Sequence, residues 1–158
     1  MKILHTSDWH LGRTFHRHSL HEWHQRFIDE LIDYATAEKI DVLLISGDVY
    51  DSAHPSAETT ELLGKTLDRL ALAGIQVVLS AGNHDSARRL GYGAGTLARQ
   101  GIYPVTTLKE TFEPVELIRD DIRVRIYAIP YLNPRYYGRQ LDIEPTHAAV
   151  LGLSLIHI

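Results

Sequence analysis

The sequence predicts an α/β fold whose sheet begins as a right-handed parallel βαβαβ unit and becomes mixed in its later part. Three short apolar runs, each followed at once by a polar turn, have the length and composition of strands buried on both faces. Two amphipathic helical patterns separate the runs, and this alternation is typical of a parallel sheet. The apolar runs lie at residues 3–4, 42–45 and 75–79.

The two helical patterns differ in how clearly their ends are marked. The first has large apolar residues every three or four positions, as a helix packed on a sheet requires. These residues are Leu20, Trp23, Phe27, Leu31, Tyr34 and Ala35. The second begins after Pro55, where Ser56 can cap the helix and Glu58 lies in the first turn, and it stops at Gly74.

The pattern changes from about residue 111. Residues 112–118 and 122–129 flank the turn Arg119-Asp120-Asp121, and alternation at Val124 and Ile126 predicts an antiparallel hairpin. Residues 131–139 read YLNPRYYGR, which predicts an irregular loop because it contains a proline and a glycine.

The chain has 158 residues, about one domain's worth. We expect residues 1–150 to form the amino-terminal part of a single domain. Residues 151–158, LGLSLIHI, have no capping or turn signal, which predicts an atypical tail that results from truncation or a foreign addition.

Composition excludes several function classes. The chain has no cysteine, so a metal site must use oxygen and imidazole ligands, which favours manganese, magnesium or iron and allows zinc only through His and Asp. The net charge is −4, unlike the basic body of a passive nucleic-acid binder. No apolar stretch reaches the roughly 20 residues that span a bilayer, and the start has no signal-peptide pattern. We therefore expect a cytoplasmic protein without a membrane partner.

Three polar clusters follow the three predicted parallel strands at the point where each ends. They read SDWH from residue 7, GDVYD from residue 47 and GNHD from residue 82. Ligands bind outside the carboxyl ends of parallel strands, so the clusters are expected to converge. Gly47 and Gly82 are expected to let the backbone turn sharply where a Cβ atom would crowd the metal or the neighbouring loop.

The residue types in these clusters favour metal-assisted phosphoester hydrolysis. Asp8 and His10 are two residues apart, which on an extended segment places both side chains on one face, where they can hold one cation. The Asp48 carboxylate can bridge two cations, and Asn83 offers an amide oxygen to the second. A cation pair can activate water and hold a phosphoryl group in line for attack.

Two further residues of the clusters suit proton transfer. His84 is the expected proton donor to the leaving oxygen, or a stabiliser of transition-state charge. Asp51 is expected to accept a hydrogen bond from the His84 ring and so fix its tautomer.

The motifs DxH, GDxxD and GNHD, in this order, resemble those of the calcineurin-like metallophosphoesterases. The longer stretches SDWHLG, GDVYDSAHPS and GNHDS are similar to the nuclease subunits of double-strand-break repair complexes. The resemblance covers residues 1 to about 150 and implies part of a metallophosphoesterase-like sandwich. It implies Asp8 and His10 on a first manganese ion, Asp48 bridging two ions, Asn83 on the second and His84 acting on the phosphate.

The same resemblance implies a function in DNA repair, recombination and replication. It implies a Mn²⁺-dependent nuclease, with Mg²⁺ as an alternative metal, that acts as a 3′–5′ exonuclease on double-stranded DNA and an endonuclease on single strands and hairpins. It also implies a homodimer and a partner ATPase with long coiled coils.

One departure from the family concerns metal ligation. The family supplies further histidines from later GH and GHxH motifs, which do not occur in these 158 residues, and His147 and His157 match neither motif. Four side chains shared between two cations predict weak metal binding and little or no activity for this polypeptide.

Residues outside the clusters suggest contacts with DNA or with a second copy of the chain. The predicted phosphate-binding side chains are Arg13, Arg17, Arg88 and Arg89. Tyr136 and Tyr137, beside Arg135 and Arg139, either pack locally or stack on unpaired bases. Periodicity favours a core role for Trp23, Phe27 and Leu31, and the implied homodimer favours an interface. His16, His18, His21 and His24 are expected to face solvent.

Two other functions remain open at this point. One is a small-substrate phosphatase or cyclic-nucleotide phosphodiesterase of the same fold, which the three clusters alone do not exclude. The other is a catalytically incomplete dimerisation or scaffold fragment, which the absence of the later histidines favours.

Overall fold

A central parallel sheet organises the structure, a computed structural model that describes residues 1–156. In chain order the strands are β1 (Ile3–Thr6), β2 (Thr14–Phe15), β3 (His18–Ser19), β4 (Val42–Ser46), β5 (Gln76–Ser80), β6 (Ile102–Val105), β7 (Val115–Arg119) and β8 (Ile122–Ile126). The helices are α1 (His21–Ala37), α2 (Ala57–Leu72), α3 (Ala87–Leu90), α4 (Ala94–Ala98), α5 (Leu108–Thr111), α6 (Pro134–Leu141) and α7 (His147–Ile156). Strands β1, β4, β5 and β6 are neighbours in that order and run parallel, which confirms the predicted α/β class and its βαβαβ start.

Helices α1 and α2 belong to the larger hydrophobic core, on one face of this sheet. The predicted capping of α2 is confirmed, because the Ser56 side chain accepts a hydrogen bond from the Thr59 N–H and Glu58 lies in the first turn. The buried residues of α1 are Ile28, Ile32 and Ala35. The predicted core role is therefore wrong for Trp23 and Phe27, which are exposed, but it holds for Leu31, which is partly buried against this core.

Strand β6 is an element that sequence patterning missed. It contains Pro104, which cannot donate to a sheet ladder and argues against a central strand. The structure places β6 at the edge of the described sheet, where one side needs no partner.

The predicted hairpin forms as β7 and β8, with Arg119 paired to Ile122 across the turn. Within residues 1–156 it pairs only with itself, so it does not extend the parallel sheet as expected. Leu117 packs instead with Val42, Val78 and Val105 in a second core cluster. The hairpin thus covers the second face of the sheet.

The irregular loop predicted for residues 131–139 is wrong, because α6 begins at Pro134. Asn133 caps it by accepting hydrogen bonds from the N–H groups of Arg135 and Tyr136, and proline is well tolerated in a first helical turn. Gly138 lies inside the helix because a Cβ atom there would come within 2.8 Å of Pro145. The proline and the glycine that predicted a loop therefore both lie in a helix.

The predicted division into a 1–150 domain and a 151–158 tail stays a prediction. Residues 151–156 continue α7, so this part has helical structure that the sequence pattern did not predict. Residues 157 and 158 lie outside the described residues. No helix within residues 1–156 is both long enough and apolar enough to cross a membrane.

Candidate metal and phosphoester site

The three polar clusters meet at one edge of the parallel sheet. Strand register pairs Thr6 with Ile45 and Ser46 with Ser80, so the segments that follow β1, β4 and β5 leave the sheet side by side. Asp8, Asp48 and Asn83 line one cavity of about 540 Å³ at this edge. The structure therefore brings together one predicted metal ligand from each strand end.

His10, Asp48 and His84 form a compact group of potential ligands. One ligand atom from each lies within 4.8 Å of the others. His10 Nε2 is 3.8 Å from Asp48 Oδ2 and 3.9 Å from Asp8 Oδ1. The side chains of His10 and Asp48 are 15% and 14% exposed, whereas that of the neighbouring Asp8 is 65% exposed.

The expected extended geometry of the first cluster is wrong. Asp8 and His10 have φ angles of 57° and 46°, in the left-handed region, so their proximity comes from a loop and not from strand alternation. Asp48 has the same type of backbone, with φ of 47°. All three residues place their side chains by conformations that L-residues rarely adopt.

Backbone hydrogen bonds join the first loop to the second. The N–H of Asp8 donates to the Gly47 carbonyl at 3.2 Å, and that of His10 donates to the Asp48 carbonyl at 2.9 Å. Leu11 continues this pairing through a parallel bridge to Tyr50. The two loops thus extend the pairing of β1 with β4 beyond the sheet.

Asp85 joins the second loop to the third, a role that sequence reasoning missed. Its Oδ2 accepts hydrogen bonds from the N–H groups of Val49, at 3.1 Å, and Gly82, at 2.8 Å. Its Oδ1 accepts one from the Tyr50 N–H at 2.8 Å. The final aspartate of the GNHD motif, which is Asp85, was the sequence signal for this role, and its hydrogen bonds position the loops.

Gly82 makes the close approach of these loops possible. A Cβ atom on Gly82 would overlap the Asp48 carboxylate and its backbone nitrogen, which confirms the expected crowding. Gly47 has a φ of 79°, as a sharp left-handed turn requires. The Asp48 Oδ1 atom then accepts a hydrogen bond from the His84 N–H at 3.0 Å, and Oδ2 faces His10.

The His84 ring is held by the backbone of Asp51, not by its carboxylate as predicted. His84 Nδ1 lies 2.9 Å from the Asp51 carbonyl oxygen, which can only accept, so Nδ1 carries a proton. This hydrogen bond, with the nearby charges of Asp48 and Asp51, raises the pKa of His84. The Asp51 Oδ1 atom is instead 3.1 Å from His10 Nδ1, at ion-pair distance but without the alignment of a hydrogen bond.

His24 also differs from expectation, because it is half-buried and does not simply face solvent. Its Nδ1 atom is buried and has no hydrogen-bond partner among the described residues. Burial, followed by the charge of His21, lowers the pKa of His24, and the charge of Asp51 opposes this shift. His24 therefore lies within electrostatic reach of the site.

Of the four predicted phosphate-binding arginines, Arg13 contacts a residue of the site. Arg13 Nε is 4.0 Å from Asp51 Oδ1. Arg17 lies in the turn between β2 and β3, with a φ of 67°. Arg88 and Arg89 are exposed on α3, which follows the third cluster, and neither forms an ion pair with residues 1–156.

The donor chemistry of the site fits a divalent cation. His10, His84, Asp8 and Asp48 offer imidazole nitrogen and carboxylate oxygen, and Asn83 adds an amide oxygen beside them. Manganese, magnesium, iron and zinc all accept ligands from this set. The Asp51 carboxylate lies beside His10 Nδ1, and a contact of this kind orients a metal-binding imidazole.

Comparisons with known proteins agree with this chemistry. The family model for calcineurin-like phosphoesterases matches residues 1–146. The chain is 37% identical to an SbcCD nuclease subunit from Staphylococcus saprophyticus, over 100% of this chain and 42% of that protein. The corresponding SbcCD nuclease subunits of Rhodobacter capsulatus and Staphylococcus epidermidis are 36% and 33% identical, over 84% and 83% of this chain and 36% and 34% of those proteins. The chain thus spans less than half the length of these curated relatives.

Proposed function

The chain belongs to the calcineurin-like phosphoesterase family, and on this basis we propose that it is part of a metal-dependent nuclease that hydrolyses phosphodiester bonds in DNA. The convergence of His10, Asp48 and His84 within 4.8 Å carries the proposal, because it supplies cation ligands and a proton-bearing imidazole together. The relatives named as nuclease subunits support DNA as the substrate.

Each side chain then has a specific role. Asp8 and His10 would hold a first cation, Asp48 would be shared between this and a second cation, and Asn83 would bind the second through its amide oxygen. When bound, Mn²⁺ or Mg²⁺ activates water and offsets the charge of the phosphate. Asp51 orients His10, with which its carboxylate is in contact, and orients His84 through its backbone carbonyl.

His84 delivers a proton to the leaving oxygen. Its Nδ1 proton is committed to the Asp51 carbonyl, so the proton available to substrate is the one on Nε2. The raised pKa of His84 increases the fraction of the ring that carries both protons near neutral pH. Arg13 lies close enough to contact the phosphate backbone next to the reacting group.

Metal binding by this chain is expected to be weak. Asp8, His10, Asp48 and Asn83 would share two cations, whereas a divalent transition metal usually has four or more ligands of its own. We therefore propose low affinity for manganese and little activity for the 158-residue chain on its own.

The wider assembly is also part of the proposal. By analogy with the relatives named as subunits of SbcCD, the protein works with an SbcC-type ATPase, in DNA repair, recombination and replication in the cytoplasm. It acts as a 3′–5′ exonuclease on duplex ends and an endonuclease on single strands and hairpins. Exposed Trp23, Phe27 and Tyr34 on α1 support a homodimer built on this helix.

The first experiment is manganese calorimetry on this chain beside Asp48→Ala and Asp33→Ala, the latter an exposed acid of α1 as control. We expect binding to be lost in Asp48→Ala and kept in Asp33→Ala. Repeating the titration with magnesium tests metal preference. If the wild-type chain binds neither cation, the proposed site does not assemble in this polypeptide.

Substrate is tested on the same samples with single-stranded DNA and nitrophenyl phosphate esters. Manganese-dependent cleavage of DNA that Asp48→Ala abolishes supports the nuclease. Hydrolysis of the esters without cleavage of DNA would favour a small-substrate phosphatase. Metal binding with neither activity would favour an incomplete dimerisation or scaffold fragment.

A further inference from the structure

A surface of tyrosine and arginine side chains continues from the candidate metal site onto α6. Tyr131 lines the site cavity together with Asp8 and Asp48, and it also lines a second concavity with Asn133 and Arg135. A third concavity adjoins the second, because Asn133 and Arg135 line both. We call the whole the α6 surface, formed by Tyr131, Asn133, Arg135, Tyr136, Arg139 and Gln140.

Tyr136 presents an aromatic face that the fold does not use. Its side chain is 62% exposed, and its only ring contact within residues 1–156 is an edge-on contact with Tyr137, at a centroid distance of 5.0 Å. Tyr137 is fixed in turn, because it packs in the third core cluster and its hydroxyl accepts a hydrogen bond from the Leu108 N–H. Tyr136 thus rests against an anchored neighbour and leaves a flat apolar face open to solvent.

The arginines of the α6 surface also form no ion pair within residues 1–156. Arg135 and Arg139 are exposed and four residues apart, so they share one face of the helix. Neither has an acidic group within 4.0 Å in the described part of the chain. Arg123 and Arg125 on β8, by contrast, both pair with Glu116.

The α6 surface is held rigidly relative to the metal site. The Tyr131 N–H donates to the Ala81 carbonyl at 2.7 Å, directly before the third cluster. Asn133 fixes the first turn of α6, and Gly138 packs against Pro145. Preorganised aromatic and cationic groups lose little entropy when they bind a ligand.

We propose that the α6 surface binds single-stranded DNA, with a base stacked on Tyr136 and phosphates on Arg135 and Arg139. The strand then runs over Tyr131 into the cavity that Asp48 lines. A stacking face combined with cationic side chains is what proteins use to bind unpaired nucleotides. A duplex would not satisfy this surface, because its bases are stacked on one another. The direction of the strand rests on the proposed nuclease function, but binding at α6 does not.

Fluorescence anisotropy with a labelled oligothymidylate tests the proposal on the 158-residue chain, with EDTA present to prevent hydrolysis. Tyr136→Ala is expected to weaken binding by at least about fivefold, whereas Tyr136→Phe, which keeps the aromatic face, binds like the wild type. An oligonucleotide with abasic sites is expected to bind wild type and Tyr136→Ala equally. The proposal is overturned if wild type does not bind or if Tyr136→Ala binds as tightly as wild type.

The arginines have a test of their own. Arg135→Gln with Arg139→Gln is expected to weaken binding and to reduce the salt dependence by about 0.7 per lost phosphate contact. Arg123→Gln with Arg125→Gln makes the same charge change elsewhere and is expected to leave affinity unchanged. Equal losses in the two double variants would contradict a specific α6 surface, since only net charge would then matter.

Cleavage assays separate this inference from the nuclease proposal. Asp33→Ala in EDTA is expected to bind oligothymidylate like the wild type, because Asp33 is exposed on α1 and belongs neither to the α6 surface nor to the candidate metal site. Binding that depends on Tyr136, in a chain that binds neither manganese nor magnesium, would sink the proposed metal site and keep the α6 surface. Metal-dependent cleavage, with no effect of Tyr136→Ala on binding or on KM, would keep the nuclease proposal and overturn the α6 surface.

Discussion

Removing the Asp85 carboxylate is expected to loosen the candidate site more than any single change to a proposed metal ligand. Asp85 accepts three backbone hydrogen bonds, from Val49, Tyr50 and Gly82, and so joins the second loop to the third. In Asp85→Ala these three partly buried N–H groups lose their acceptor together. The Asp48 side chain loses its fixed position relative to His84 as a result.

The magnitude follows from the hydrogen bonds. A bond to a charged acceptor contributes about 1.5–3 kcal/mol, and water will replace part of each in a half-buried position. We expect Asp85→Ala to lower the free energy of unfolding by about 3 kcal/mol. In Asp85→Asn the amide oxygen can still accept from Val49 and Gly82, so only the bond to Tyr50 is lost, at about 1–2 kcal/mol.

Urea unfolding followed by tryptophan fluorescence measures these differences, and manganese calorimetry on the same samples measures the site. The expected order of destabilisation is Asp85→Ala, then Asp85→Asn, with Asp33→Asn indistinguishable from wild type as a surface control. A destabilisation by Asp85→Ala of less than about 1 kcal/mol, with unchanged manganese binding, would refute the idea that this carboxylate positions the loops.

Three further predictions concern glycine, a titrating histidine and a helix cap. Gly82→Ala should abolish manganese binding in calorimetry, because the added Cβ atom would overlap the Asp48 carboxylate. Gly64→Ala in α2 meets open space and should raise the free energy of unfolding in urea by about 0.5–1 kcal/mol. The pKa of His24 is lowered in the fold, so the unfolded chain binds more protons and stability is lost as pH falls through 6.5. His24→Gln should therefore lose less stability than the wild type between about pH 7 and 5. Parallel curves of unfolding free energy against pH for the two proteins would contradict this. Asn133→Ala removes the cap of α6 and should cost about 1 kcal/mol in urea unfolding, whereas Asn133→Asp should be close to neutral.

The sequence predicted the parts of the fold that depend on local periodicity and on strand ends. Apolar runs and a capping serine were sufficient for β4, β5 and α2, because burial on both faces and an N-cap leave direct signals. The meeting of Asp8, Asp48 and Asn83 followed from parallel topology alone. The capping box of Thr107 and Glu110, which starts α5, was an equally direct signal that pattern reading overlooked.

The elements that were missed depend on contacts between residues distant in sequence. Pro104 argued against β6, and only the edge position of that strand makes proline acceptable. Gly138 argued for a loop, and only the packing of Pro145 explains a glycine inside α6. Likewise, Asp51 was expected to hold His84 through its carboxylate, whereas backbone geometry gives that role to its carbonyl.

The left-handed backbone of Asp8, His10 and Asp48 makes the position of these side chains depend on the hydrogen bonds between the loops. Such conformations cost of order 1–3 kcal/mol each and persist only where the surroundings require them. Here the requirement is met by the loop-to-loop hydrogen bonds of Asp8 and His10, and by the three bonds of Asp85. Asp85, the last residue of GNHD, therefore positions the loop that carries Asp48, the first aspartate of GDxxD. A loss of metal affinity in Asp85→Ala would be the direct sign of this coupling, because that change leaves all the proposed metal-binding side chains present. It removes only the hydrogen bonds that position their loops.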